Sequence, residues 1–212
     1  MFPQRPFVLG RIAWLKQDFF NRNPRFVARA LLGKLLVRQT PGGPIVGRIV
    51  ETEAYLGAMD PASHSYIGKT PRNAVMFGPA GFAYVYFIYG NHYCLNVTCQ
   101  REGVAGAVLF RAMEPLVGIE EMASARGIIV NSDRDLRNIS SGPGRMAAAL
   151  GVTRERDNGK NFVSPESDLR IGDDGFRARR VAVTARIGIV KAAEMPLRYL
   201  LAGNRFVSGP KV

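Results

Sequence analysis

The stretch Phe82–Thr98, FAYVYFIYGNHYCLNVT, decides the fold. Aromatic or branched apolar residues alternate with smaller ones, the alternation pauses at Gly90-Asn91, and it then resumes, which is the pattern of a β-hairpin. A three-residue turn, Tyr89-Gly90-Asn91, sets Ile88 opposite His92, Tyr86 opposite Cys94 and Tyr84 opposite Asn96. Tyr84, Tyr86, Cys94 and Asn96 then share one face, and Tyr89 is left at the tip. A two-residue turn, Gly90-Asn91, puts Tyr86 and Asn96 on opposite faces instead, and pattern alone does not choose between the two. Nor does pattern alone separate this hairpin from an ordinary aromatic-rich one packed on a core. The aromatic at the tip asks for more, because burial is least available there.

Upstream, Asn23-Pro24 reads as a helix start, with a capping side chain followed by a proline, and Gly33 as its stop. Lys34–Thr40 reads as a strand, Pro41-Gly42-Gly43-Pro44 as a turn, and Ile45–Leu56 as a long strand returning antiparallel. Glu51, Glu53 and Tyr55 share one face of that strand by the period of two. Gly57–Gly81 carries little regular signal, and it delivers His64; a loop of that length in a compact domain is usually functional or mobile. Downstream, Gly106–Met113 is a buried strand with Arg111 set inside an apolar run, and a short helix follows at Ile119–Ala125. Ser141-Gly142-Pro143-Gly144 opens a helix at Arg145–Leu150, Arg180–Val190 reads as a strand, and Pro196–Leu201 as a last short element. Residues 152–179 are polar, basic and weakly patterned. Strands outnumber helices and follow one another through hairpins, with no repeat or linker. The expectation is one α+β domain over residues 1–212: a curved, mostly antiparallel sheet with surrounding helices and a protruding hairpin.

Composition narrows the function. At 47% hydrophobic and 22% charged, the 212 residues are neither disordered nor fibrous. A formal net charge of +12 favours a polyanionic partner, although a basic, solubilising surface would account for it equally. Cys94 and Cys99, five residues apart on one strand, face opposite sides and cannot bridge. Two histidines are too few for a zinc cluster, so no metal is expected. Arg5, Arg11 and Lys16 interrupt the N-terminal apolar patches before a signal or membrane run develops, so a cytoplasmic protein without a membrane partner is expected.

Two acids on an apolar strand and an arginine in another pose matched problems of burial, and pairing them answers both. A cleft between Glu53, Arg111, Tyr55, Tyr86 and His64 would offer a base, a cation and stacking faces together, which suits a flat, electron-poor ring. The SGPG stretch resembles a phosphate-cradling turn into a helix, without the GK[ST] of a Walker motif. Two other readings share these residues: a non-catalytic nucleic-acid module, and a carbohydrate hydrolase using Glu51 and Glu53 as paired acids.

VETEAYLG at 50–57, ASH at 62–64, TPRNAVMFG at 70–78, YVYFIYG at 84–90, CLNV at 94–97, VLFRAMEP at 108–115, SGPGRM at 141–146 and ARIGI at 185–189 together resemble the alkyladenine (3-methyladenine) DNA glycosylase family. The likeness is dense from about residue 24 to 151 and returns near 180–200; Arg145-Met146 stands where Lys-Leu is common in the family, and 152–179 does not align. The resemblance implies a monofunctional glycosylase that flips alkylated or deaminated purines (3-methyladenine, 7-methylguanine, hypoxanthine, ethenoadenine) out of damaged double-stranded DNA and hydrolyses the N-glycosidic bond. By the same resemblance Glu53 is the general base that activates a water. Arg111 helps hold that water and a nearby phosphate, and the main-chain carbonyl of Ile187 is another of its ligands. Tyr55, His64 and Tyr86 are implied as the walls around the extruded base, Asn96 as the residue that crowds out guanine, and Tyr89 as the side chain that fills the vacated slot. No cofactor, no lyase step and a monomer are expected, with association to the nucleoid if the source is bacterial.

Overall fold

The computed structural model describes residues 12–88 and 90–209. Among them, nine strands form one sheet in which every pairing is antiparallel. The strands are β1 (Ala13–Trp14), β2 (Leu35–Thr40), β3 (Gly43–Tyr55), β4 (Ala83–Ile88), β5 (His92–Thr98), β6 (Ala107–Val117), β7 (Leu169–Asp173), β8 (Val181–Thr184) and β9 (Arg198–Leu201). Their order is β1-β7-β2-β3-β6-β5-β4, with β9 on β3 and β8 on β9. Six helices surround the sheet: α1 (Gln17–Phe20), α2 (Pro24–Leu31), α3 (Ile119–Ala125), α4 (Asp133–Ser140), α5 (Pro143–Ala149) and α6 (Arg154–Asp157). This is the expected α+β architecture, and no helix among the described residues is long and apolar enough to cross a membrane.

Local chemistry sets the elements. The Asn23 side chain accepts from the Arg25 amide to cap α2, and Gly33 takes φ +85° just past its end. Thr52 Oγ1 on β3 donates to the Ala28 carbonyl at 2.9 Å, tying α2 to the sheet. One sheet face sends Ala54, Val85, Leu95, Val97, Val108 and Phe110 into the main core with Val27, Ala28 and Leu31 of α2. Gly47 admits the partner strand closely, since a Cβ there would stand 2.2 Å from Met113 Sδ.

The long central strand β3 changes partner along one edge: Gly43–Arg48 pair with β2, and Glu51–Glu53 pair with β9. On its other edge it runs beside β6 with irregularities on either side of Glu51, where Ile49 faces Met113, Glu51 faces Ala112 and Thr52 faces Phe110. Val50 and Arg111 are therefore unpaired, bulged residues flanking this point, as Leu116 is further along β6, and a bulge turns both strand and side chain.

The hairpin adopts the register of the three-residue turn, with Tyr84 opposite Asn96, Tyr86 opposite Cys94 and Ile88 opposite His92. Its outer strand β4 is an edge, and the segment from 158 to 162 covers it. The Gly159 amide donates to the Ala83 carbonyl at 2.7 Å, Ala83 returns a bond to the Lys160 carbonyl at 2.8 Å, and Asn158 Oδ1 accepts from the Val85 amide at 3.0 Å. Buried Asp157 anchors that cover, meeting Arg38 at 2.9 Å and Lys160 at 2.9 Å.

One expected element is shorter than anticipated. Arg180–Val190 is extended only over Val181–Thr184, because Arg186 turns inward to a buried acid and Gly188 takes φ +75°.

Asp157→Ala leaves Arg38 buried with only a half-exposed acid, Asp168, and is expected to lower stability by about 3 kcal/mol at neutral pH in denaturant titrations. Burial alone would raise the Asp157 carboxyl, but Lys160 and Arg38 outweigh it and hold it below its ordinary 3.8. The contribution is thus fully present above that ordinary value and is lost as pH falls through the lower folded one. The gap between wild type and variant should stay constant from neutral pH to about pH 5 and close in stronger acid; a gap that closes near neutrality would contradict the assignment.

Candidate active site

Strand register assembles the site. Directly opposed residues put their side chains on one face, and the pairings Tyr84–Asn96, Asn96–Leu109, Leu109–Glu53 and Glu53–Arg198 make a single row across five strands. Tyr86 and Cys94 lie one step along the hairpin on the same face.

The two acids of β3 are both fully buried and have different partners. Glu51 Oε1 meets Arg111 Nε at 3.1 Å and Arg198 Nε at 2.6 Å, and its Oε2 accepts from the Ser208 amide at 2.6 Å. Both oxygens are occupied by structural partners, which takes Glu51 out of any paired-acid chemistry. Glu53 Oε1 meets Arg111 Nη1 at 3.2 Å and accepts from the Ile187 amide at 2.8 Å, while Oε2 accepts from the Tyr55 hydroxyl at 3.0 Å. Burial, and then the charge of Glu53, push the Tyr55 phenol far above its usual range, so it stays protonated and donates.

Two adjoining cavities open beside this carboxylate. The first, about 210 Å³, is lined by Tyr55, His64, Met76, Tyr84, Tyr86 and Asn96, among others. The second, about 350 Å³, is lined by Tyr55, Tyr86, Cys94, Arg111, Ile187 and the Ser141–Arg145 turn. Tyr55, Tyr86, Ile88, Gly188 and Ile189 border both. Glu53 reaches neither wall itself; Tyr55, Arg111 and Ile187, which hold it, all do.

His64 comes from the irregular segment expected between β3 and β4, which contains two single-turn helices at Gly57–Met59 and Ala74–Phe77. Buried Asn73 locks it, donating to the carbonyls of His64 (2.8 Å) and Gly68 (3.0 Å) and accepting from the Thr70 amide at 2.7 Å. The His64 ring packs edge-on against Tyr86 with centroids 4.6 Å apart, and its Nδ1 lies 2.9 Å from the Tyr84 hydroxyl. Burial and then the nearby Arg72 charge hold the imidazole below its ordinary 6.5, which leaves it uncharged at neutral pH.

The expected residues Glu53, Arg111, Ile187, Tyr55, His64, Tyr86 and Asn96 therefore gather in one place. The contact at Ile187 is through its amide N–H, which donates to Glu53. Asn96 is buried and donates to the Tyr84 carbonyl at 3.0 Å. Tyr89 lies outside the described residues. Asp60, Asn73, Arg186 and Ser208 complete the arrangement without having been singled out. Asn73 and Arg186 had a signal, inside TPRNAVMFG and ARIGI, whereas Asp60 and Ser208 act through contacts between segments far apart in the chain.

Residues 18–205 match the family model described as Methylpurine-DNA glycosylase (MPG). A protein of Koribacter versatilis is 60% identical over 203 residues, covering 96% of this chain and 97% of that protein. One of Burkholderia lata is 45% identical over 199 residues, covering 93% and 92%. Another, of Methanoculleus marisnigri, is 45% identical over 200 residues, covering 92% and 98%. All three are named "Putative 3-methyladenine DNA glycosylase".

His64 should titrate below 6.5 when its ring resonances are followed by NMR. Arg72→Ala should raise the midpoint without restoring it fully, since burial is the larger cause. A midpoint at or above 6.5 in the wild type would overturn the description of an uncharged wall.

Proposed function

The chain belongs to the methylpurine-DNA glycosylase family, and on that premise we propose that it releases alkylated or deaminated purines from duplex DNA by hydrolysis, with Glu53 as the general base. The observation that carries the reading is the buried Glu53 carboxylate, held by a guanidinium, an amide and a phenol whose residues line the adjoining ring-lined cavities. A cavity of about 210 Å³ is smaller than the ~300–1,000 Å³ typical of drug-sized ligands and suits one fused ring system.

An enzyme acting on a base must take it out of the stack, at roughly a few kcal/mol, least for damaged or mispaired bases. Tyr89 would offset part of that by occupying the vacated slot. Inside, the base would stack between Tyr55 and the Tyr86–His64 pair. A cationic methylated purine is drawn to the tyrosine faces and meets no opposing charge from His64, which is neutral at neutral pH. Asn96, buried beside Tyr84, would crowd the extra exocyclic amine of guanine.

Cleavage leaves positive charge on the sugar. Glu53 would stabilise that charge and take a proton from the attacking water, with Arg111 and the Ile187 carbonyl as further ligands of that water. The second cavity, bordered by Arg111 and Ile187, provides the approach for sugar and water. Among the described residues no lysine lines either cavity, which favours simple hydrolysis over a Schiff base and strand cleavage.

Glu53→Gln should slow base release in single-turnover assays by about 10²–10⁴-fold while retaining binding to lesion-containing duplex; normal turnover by that variant would remove Glu53 as the base. Tyr89→Ala should shift the flipping equilibrium of a fluorescent ethenoadenine toward the stacked form by more than it slows the chemical step. An unaltered equilibrium would contradict the wedge.

A further inference from the structure

We infer that the buried Asp60–Arg186 pair is the positioning element of this pocket: it fixes where the Ile187 amide meets Glu53 and holds the Tyr55 ring from outside the cavities. The inference rests on the function proposed above for Glu53 and Tyr55.

Both side chains of the pair are fully buried. Arg186 meets the Asp60 carboxylate with both terminal nitrogens, Nη2 at 2.8 Å from Oδ1 and Nη1 bonded to Oδ2, and Nη1 also donates to the Ala54 carbonyl at 3.0 Å. The Asp60 oxygens accept in addition from the amides of Leu56 (3.2 Å) and Ala62 (3.1 Å). One ion pair therefore joins three segments: the end of β3 that carries Glu53 and Tyr55, the loop that reaches His64 two residues after Ala62, and the stretch after β8 that supplies Ile187.

The placement explains two contacts at the site. Ile187 directly follows Arg186, so the guanidinium anchor sets the height of the amide that donates to Glu53 at 2.8 Å. The guanidinium carbon also sits 4.6 Å from the Tyr55 ring centroid. Tyr55 lines both cavities and Arg186 lines neither, so the cation backs the ring from outside the space a base would use.

Stability alone gives little reason for such a pair. Desolvating two charges consumes most of their attraction, and well-packed apolar residues of similar volume often serve as well or better. What apolar residues cannot reproduce is the fork of directed bonds to a carboxylate that itself organises the turn into the His64 loop.

The test compares wild type with the double variant Asp60→Leu/Arg186→Met and with Arg186→Lys. Three readouts are followed: single-turnover base release, binding to duplex containing an abasic-site analogue, and the Ile187 amide proton by NMR shift and hydrogen exchange. In the double variant, thermal stability and duplex affinity should hold, base release should fall by about tenfold or more, and the Ile187 amide should shift upfield and lose protection. Arg186→Lys keeps the charge without the fork and should give a smaller loss of rate in the same direction. An unchanged Ile187 amide in a folded double variant overturns the inference, as does a rate that falls only with the folded fraction. If the double variant does not fold, Arg186→Lys decides: wild-type rate and an unmoved amide overturn the inference, and a slower rate with a shifted amide supports it. Wild-type protein that releases no base from any lesion would defeat the glycosylase reading, and the amide readout would still decide the placement.

Discussion

Two carboxylates and two guanidiniums share the space between β3, β6 and β9, and the rest of the molecule is arranged so that they can. Glu51 and Glu53 are buried, Arg111 reaches both, and Arg198 completes the balance from the far edge of β3. Removing any one member would strand an opposite charge in a low-dielectric interior, where the penalty outweighs that of an ordinary core defect. This constraint explains the bulges on either side of Glu51. A regular β3–β6 ladder would pair Arg111 across the strands like its neighbours, whereas the bulge leaves its side chain free to reach two acids spaced two residues apart.

The same cluster separates two acids that look equivalent along the strand. Glu51 has two guanidinium nitrogens on one oxygen and a backbone amide on the other. Glu53 has one guanidinium and one amide on Oε1 and, among the described residues, only the protonated Tyr55 hydroxyl on Oε2. A neutral phenol is the weakest of these partners and the one most readily exchanged for water. Environment, not identity, assigns one acid to structure and leaves the other with chemical freedom.

Much of this could be read from the chain because strands report their faces through period two. The alternation in Phe82–Thr98 marks a hairpin but admits either turn; the three-residue turn, with Gly90 at φ +72°, puts Tyr84, Tyr86, Cys94 and Asn96 on one side. The acids of β3 and Arg111 of β6 announced one another as charges in apolar runs. What could not be read was contact between irregular segments. No local pattern shows that Asp60 meets a residue 126 positions later, nor that Arg186 interrupts a run that otherwise looks like strand. Helix α4 is not among the expected elements although Ser132 caps it and Leu136, Ile139 and Ser140 fall on one face at helical spacing; eight mostly polar residues make that signal short. The cover over β4 likewise depends on backbone bonds from 158–162 and on single long-range contacts of Asn158 and Asp157, none of which forms a local pattern.

The electrostatic plan separates attraction from discrimination. The chain as a whole carries +12, a long-range field suited to a polyanion and sensitive to salt. Among the described residues, the wall of the smaller cavity carries no charged side chain. Burial keeps the phenols of Tyr55, Tyr84 and Tyr86 protonated, holds His64 uncharged at neutral pH, and the acid–arginine cluster behind them balances two against two. On the function proposed above, a base entering such a slot would be judged by its faces and edges, because surface charge that draws in any duplex would contribute equally for every nucleotide. The neutrality of His64 matters most in this respect. A protonated imidazole packed 4.6 Å from Tyr86 would place a cation against ring faces that attract positive charge, and would disfavour the cationic purine that the function proposed above brings there.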